Sequence, residues 1–194
     1  MKELSLNILD ITENSVKAGA SLTSIIIDEE NNVLKLTIQD NGSGMSEEIL
    51  KGVTDPFYTT RTTRKVGMGL PLLKLAAEQT GGSMTVESVS IVDDPLSHGT
   101  KVEAMFYQDS IDATPLGDVV STICTLIQGH PDTDFYFRHR ILNQDKDILV
   151  EMDTRQIREV LDGVPLNEYE VIKWIEEYLN EQYAGPDDTE QDVT

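Results

Sequence analysis

The chain has 194 residues, with 15 Lys and Arg against 35 Asp and Glu, a formal net charge of −20. Residues 1–107 hold 9 basic and 15 acidic side chains (9 − 15 = −6), and residues 108–194 hold 6 and 20 (6 − 20 = −14). Such a field repels phosphate backbones and anionic lipid, which argues against nucleic acid and membrane surfaces as partners; a polyanionic ligand needs a local site that overrides it.

The single cysteine, Cys124, excludes an internal disulfide and a zinc site built from several thiolates. It lies in the apolar run VVSTICTLI, the setting of a buried small hydrophobe. No apolar stretch approaches the roughly 18 residues that span a bilayer. The N-terminus, MKELSLNILDITEN, is polar and acidic where a signal peptide needs an unbroken apolar core. The expectation is a cytoplasmic protein.

Along the chain, Leu4 to Lys17 reads as a helix, with Leu6, Ile8, Leu9, Ile11 and Val16 at helical spacing. Ala18-Gly19-Ala20 ends it, Gly19 standing near the position that favours a left-handed residue. Ser24 to Asp28 and Val33 to Ile38 read as the strands of a hairpin turned at Asn31-Asn32. Asp40-Asn41-Gly42-Ser43-Gly44 interrupts regular structure, and Ser46 caps a short helix whose first turn carries Glu47 and Glu48. Asp55 to Val66 is polar, threonine-rich and basic, as a mobile loop is. Met68 to Gln79 returns to helical periodicity and closes at Gly81-Gly82. Ser83 to Ser88 and Thr100 to Phe106 alternate as strands.

Gln108 to Pro115 reads as a linker. Leu116 to Gln128 follows as a helix, then Asp134 to Arg140 and Ile148 to Met152 as strands. Capping boxes open helices at Asp153-Thr154-Arg155-Gln156 and Asn167-Glu168-Tyr169-Glu170. The expected organisation is a domain over 1–107, a small α/β interaction or dimerisation domain over 108–183, and a disordered acidic tail over 184–194.

Four local patterns carry chemistry. Asp40-x-Gly42-x-Gly44 follows a strand, so a carboxylate can accept an exocyclic amine while the glycines let backbone approach a flat ligand. Gly67-Met68-Gly69-Leu70 opens a helix, where free N–H groups and the dipole favour phosphate. Asp10 and Asn14 share a face of the first helix, and two oxygen-bearing side chains one turn apart can hold a hydrated divalent cation; Lys17 reaches from the same side. Gly99-Thr100 precedes the last strand of the first half, where a threonine hydroxyl can support an acid or bind a base edge. Each alone also fits an ordinary turn, polar stripe or strand start, and neither a Walker loop nor a Rossmann fingerprint occurs.

Taken in order, these patterns resemble the GHKL ATPase superfamily of gyrases, heat-shock chaperones, sensor histidine kinases and mismatch-repair ATPases. ENSVKAGA is similar to the family's N box, DNGSGM to its first glycine box, DPFYTTR to its F box, GMGLPLLK to its second glycine box and HGT to its third. The resemblance covers residues 1 to about 107. Its lid entrance looks most like sensor kinases, and its N box more like the mismatch-repair branch. It implies a Bergerat-type α/β sandwich: a mixed sheet covered on one face by helices, with ATP between the helices and a lid.

By the same resemblance Asn14 would coordinate Mg²⁺, and Asp40 would take the adenine amine with Thr100 backing it. Gly42 and Gly44 would line the base and sugar, while Gly67, Gly69 and Leu70 would form the hinge and phosphate loop. Phe57 would anchor a lid running from Thr59 to Lys65, in which Arg61, Arg64 and Lys65 are phosphate partners. Asp10 occupies the general-base slot, one methylene (roughly 1.5 Å) shorter than the glutamate of hydrolytic members. Pro71 stands where sensor kinases carry a third glycine, and proline is tolerated in a first helical turn. Glu13 lies about 100° around the helix from Asn14 and faces elsewhere.

The expectation is a protein without an acceptor-helix pair before the first helix, and His98, His130 and His139 lack an acceptor context. The implied protein is a stand-alone sensor-kinase-like ATPase acting on a protein partner, in loose association with bacterial redox or hydrogenase proteins, and able to form a homodimer. An ATP-gated binding switch without phosphotransfer is the alternative.

Overall fold

Glu3 precedes a helix whose apolar positions recur every three to four residues, and Leu4–Lys17 (α1) buries Leu4, Ile8 and Ile11 as that spacing requires. The helix stops at Ala18, and Gly19 takes φ +76°, the left-handed conformation expected after a helix end. The structure is a computed structural model, and it describes residues 3–54, 68–144 and 147–185. The lid positions Phe57, Thr59, Arg61, Arg64 and Lys65, together with Gly67 and the tail from 186, lie outside the described residues.

Leu22–Glu30 (β1) and Val33–Asp40 (β2) form the expected antiparallel hairpin. Asn31 and Asn32 both have positive φ, 51° and 62°, the pair of values that a tight primed turn requires. Glu47–Gly52 (α2) is capped by Ser46, whose Oγ accepts from the Ile49 N–H at 3.5 Å. Gly69–Gln79 (α3), Ser83–Val89 (β3) and Gly99–Tyr107 (β4) complete the motif-bearing half. Val119–Gly129 (α4), Asp134–Leu142 (β5), Asp147–Asp153 (β6), Thr154–Leu161 (α5) and Tyr169–Ala184 (α6) follow.

The second expected capping box does not form. α6 begins after Glu168, whose side chain makes no capping bond, whereas Asp153 does cap α5 by accepting from the Arg155 N–H. Residues 108–118 are not a free tether either. The Leu4 and Ser5 N–H groups donate to the Pro115 and Leu116 carbonyls at 2.9 and 2.8 Å, so this segment caps α1 in place of a side chain.

The six strands of the described residues make one mixed sheet in the order β3-β4-β2-β1-β5-β6. β5 pairs with β1 in parallel and every other neighbour is antiparallel. The sheet therefore crosses residue 107 without a break: the division into 1–107 and 108–183 marks where the motifs end. Ile25, Ile27, Leu36, Ile38, Val102, Phe135 and Phe137 project to one face and are buried. α1 packs over β1 and β2, α3 over β3 and β4, α4 and α5 over β5, and α6 over β6. The other face carries ion pairs, Lys35 and Lys101 to Glu103 and Arg138 to Asp28. This is the α/β sandwich with helices on one face that the motifs imply.

Candidate functional site

Asp40 ends β2 beneath the C-terminal turn of α1, and three donors converge on its carboxylate. Ser15 Oγ donates to Oδ2 at 2.6 Å, the Gly42 N–H to Oδ1 at 2.9 Å and the Thr100 N–H to Oδ1 at 3.3 Å. A carboxylate accepts several hydrogen bonds, so lone pairs remain for a further donor. Thr100 thus backs Asp40 through its amide, not through the expected hydroxyl. That hydroxyl lies 2.9 Å from Ser88 Oγ, and Ser88 in turn donates to the Gly99 carbonyl.

The glycine loop after Asp40 is held from four sides. Asn41 Oδ1 accepts from the Ser21 and Leu22 N–H groups, the Ser43 N–H donates to Ala18 O, and the Ile91 N–H donates to Ser43 O. His98 Nδ1 donates to the Gly42 carbonyl at 2.5 Å. Glycine is needed here for space as well as conformation. A Cβ on Gly44, at φ +64°, would fall 1.9 Å from the Val89 carbonyl oxygen, and one on Gly99 2.0 Å from that of Asp40.

These contacts enclose a cavity of about 240 Å³. Its polar wall is Asn14, Ser15, Lys17, Asp40 and Thr100, with Gly44 and Leu70 beside them, and its apolar wall includes Ile38 and Val102. Asn14 makes no side-chain hydrogen bond among the described residues. Gly42 sits behind the Asp40 carboxylate, outside the lining. Asp10 is exposed at the lip, where its Cβ would be 3.2 Å from a Cβ placed on Gly69. That contact sets the N-terminus of α3 against the face of α1 bearing Asp10 and Asn14. Among the described residues no side chain caps α3, the setting in which first-turn N–H groups can take an anion. Pro71, in that first turn, lacks only an N–H that would be unpaired in any case.

Lys17 is mostly exposed and is held 3.3 Å from Glu13. Glu13 faces away from Asn14, as its angle on the helix requires, toward His130 at the end of α4, with 2.6 Å between its Oε1 and Nε2. The His130 hydrogen bond holds the Glu13 carboxyl below its ordinary range against a smaller opposing effect of burial. Neither the Ser15 bond to Asp40 nor the His98 clamp was anticipated from sequence. The residue types were in view within the N box and third glycine box, but their partners lie 25 and 56 positions away.

No group of three or more His, Cys, Asp or Glu able to hold a metal occurs among the described residues, and no described helix is long and apolar enough to cross a membrane. A larger cavity, about 560 Å³, lies away from Asp40, between β6, α5 and α6.

Comparison with known proteins agrees with the geometry. The family model described as histidine kinase-, DNA gyrase B-, and HSP90-like ATPase matches residues 2–109. A protein of Shewanella frigidimarina (strain NCIMB 400) described as a sensor protein is 29% identical over 109 residues, covering 54% of this chain and 16% of the relative. The DNA mismatch repair protein MutL of Listeria monocytogenes serotype 4a (strain HCC23) is 27% identical over 163 residues, 67% of this chain and 27% of its own. The chain thus spans under a third of the length of these relatives. The Aquifex aeolicus MutL ATPase domain complexed with ADP has a TM-score of 0.50 at 13% identity, covering 84% of this chain and 70% of that one. The likeness in fold therefore extends past the motif-bearing half into the strands that follow it. With more than half its length matched by the family model, the chain belongs to the histidine kinase-, DNA gyrase B- and HSP90-like ATPase family.

Proposed function

We propose that the chain binds ATP with Mg²⁺ and acts as a kinase-like regulatory protein that transfers or hydrolyses the γ-phosphate, with a protein partner as target and a cytoplasmic site of action. The observation that carries this reading is the Asp40 carboxylate, fixed by Ser15, Gly42 and Thr100 at the wall of a cavity with an apolar side. Its orientation is set before any ligand arrives, so an adenine amine meets a preorganised acceptor, with Ile38 and Val102 beside the ring. Gly44 lets backbone approach the base and sugar.

Asn14, without a side-chain hydrogen bond among the described residues and on the same helix face as Asp10, supplies an oxygen to the cation, and the remaining ligands come from phosphate and water. Bound Mg²⁺ would neutralise charge on the phosphates. The α3 N-terminus at Gly69 and Leu70 meets the same anion, and Lys17, whose stem lines the cavity, reaches it by swinging its amine away from Glu13. Asp10 at the lip accepts the proton of a hydroxyl or water nucleophile. Residues 1–107 hold the nucleotide, and residues 108–183 serve interaction or dimerisation.

One observation favours a second reading. Asp10 lies outside the cavity lining and has the shorter side chain, and a misplacement of about 1 Å costs on the order of 100-fold in rate. In that reading ATP gates partner docking without phosphotransfer. The test is γ-labelled ATP with the co-purified partner, comparing wild type with Asp10→Asn. Label on the partner with wild type alone supports a kinase, and free phosphate alone an ATPase. ATP-dependent complex formation by both proteins without turnover removes Asp10 as a base.

A further inference from the structure

The far edge of the sheet is built differently from an ordinary protected edge. Glu151 of β6 turns its backbone outward, away from β5. Its N–H donates to Gln182 Oε1 at 2.9 Å, and Gln182 Nε2 donates to its carbonyl at 3.2 Å. The Gln182 side-chain amide thus pairs with one edge residue as the backbone of an added strand would. Leu149, two residues along, faces outward by the alternation of an antiparallel ladder. Outside that ladder it makes no hydrogen bond among the described residues.

Along this edge runs the 560 Å³ groove, walled on one side by α5 and on the other by a stripe of α6. Trp174 and Tyr178 stack there with ring centroids 5.2 Å apart. Leu149 is 52% exposed, Val160 85% and Trp174 49%, an apolar surface open to a partner.

The surrounding charge selects the partner. Arg155, Arg158 and Lys173, the cations of residues 147–185, are each paired with a carboxylate: Asp153, Asp134 and Glu177. Helical spacing sets Glu170 and Glu181 beside the aromatic stripe, and Glu151 lines the groove itself, so carboxylate is in excess.

We propose that this groove binds an extended segment of a partner protein, with basic and apolar residues alternating, which adds to β6 as a seventh strand and displaces the Gln182 amide. Backbone pairing at Leu149 and Glu151 supplies register, the Trp174, Tyr178 and Val160 surface takes the apolar side chains, and the acidic rim takes the basic ones. The site is separate from the Asp40 cavity, and the proposal does not depend on nucleotide chemistry.

Trp174 is the sole tryptophan of the chain, so its emission reports occupancy directly. The probe is an acetylated, amidated peptide of alternating Lys and Val or Leu, titrated into the full chain at low salt. The expected result is a saturable change in emission that raised salt weakens. Alternate backbone N-methylation should abolish it, and Leu149→Lys should weaken it at least tenfold while leaving ATP affinity unchanged. Gln182→Ala, which frees the Glu151 N–H and C=O, should tighten binding several-fold.

The proposal is overturned by no saturable change, by equal binding of the N-methylated peptide, or by equal binding of a peptide with Glu in place of Lys. Sedimentation of the peptide-free chain as a dimer that Leu149→Lys dissociates would assign the edge to a second copy and overturn it too.

Discussion

Ser15 Oγ and Asp40 Oδ2 lie 2.6 Å apart, joining the last full turn of α1 to the end of β2. The bond is charge-assisted, and Ser15 is only 4% exposed, so little water competes for the carboxylate oxygen. Ser15→Ala should weaken ATP binding roughly tenfold, about 1.4 kcal/mol, with the far-ultraviolet circular dichroism unchanged. Asp40→Asn should cost more, because an amide turns a donor toward one of the groups now donating to it, and loss of a charged hydrogen bond is worth about 1.5–3 kcal/mol. Calorimetry giving equal affinity for wild type and Asp40→Asn would remove Asp40 from the nucleotide site.

Asp10→Asn should leave ATP affinity within about twofold, because Asp10 stands at the lip and an amide still hydrogen-bonds to water around a cation. Turnover should fall by on the order of 10²–10⁴-fold, the contribution of a positioned base. Single-turnover kinetics with labelled ATP separate the two quantities. Equal turnover in both proteins would place the base elsewhere.

A prediction of pH dependence rests on Glu29, which lies 2.9 Å from His139, a residue only 2% exposed and also in contact with the Tyr183 hydroxyl at 2.7 Å. Hydrogen bonding from His139, and then from Gln108, holds the Glu29 carboxyl below its ordinary value of 4.5, against the opposing effect of burial. The unfolded chain therefore binds the Glu29 proton more readily than the folded one. Its stabilising contribution is complete above pH 4.5 and is lost as pH falls through the lower folded value. Glu29→Ala should cost about 1–3 kcal/mol at neutral pH, since it leaves the buried His139 Nε2 without its hydrogen-bond partner. Chemical denaturation as a function of pH should show a shallower acid limb in that variant than in wild type.

Burial pushes the Cys124 thiol up to about 11, with Glu176 and Asp118 adding to the shift. At pH 8 roughly one thiol in a thousand is then ionised, and the side chain is 8% exposed. Native protein should resist a thiol reagent at pH 8 over hours and react within minutes once unfolded in denaturant. Rapid labelling of the native protein would contradict the burial of α4 against the sheet.

Where a local pattern specifies an element, the sequence was sufficient. The apolar spacing gave α1 its observed bounds, Asn31-Asn32 gave the hairpin turn, and Ser46 and Asp153 gave two caps. Asn167 is not the cap because it sits inside a turn closed by the Glu168 N–H and the Pro165 carbonyl, and α6 opens one residue later, after Glu168. The strand from Asp134 to Arg140, observed to run on to Leu142, was readable from its own residues, but its parallel pairing with β1 was not. Register between segments more than 100 residues apart carries no local signal. The same limit hid Ser15 and His98, whose roles exist only once α1 and the third glycine box meet the β2 loop.

The carbonyls of Pro115 and Leu116 close the first turn of α1, and His130 grips Glu13 about two and a half turns further on. The helix bearing Asp10, Asn14 and Ser15 is thus pinned at two points by chain that follows residue 107. A chimaera that grafts residues 1–107 onto a foreign C-terminal segment would inherit the nucleotide motifs intact, yet its first helix would open on two bare N–H groups and lose its outer tether. Transplanting this site requires carrying at least the stretch through His130, and preferably β5, without which β1 becomes an open edge.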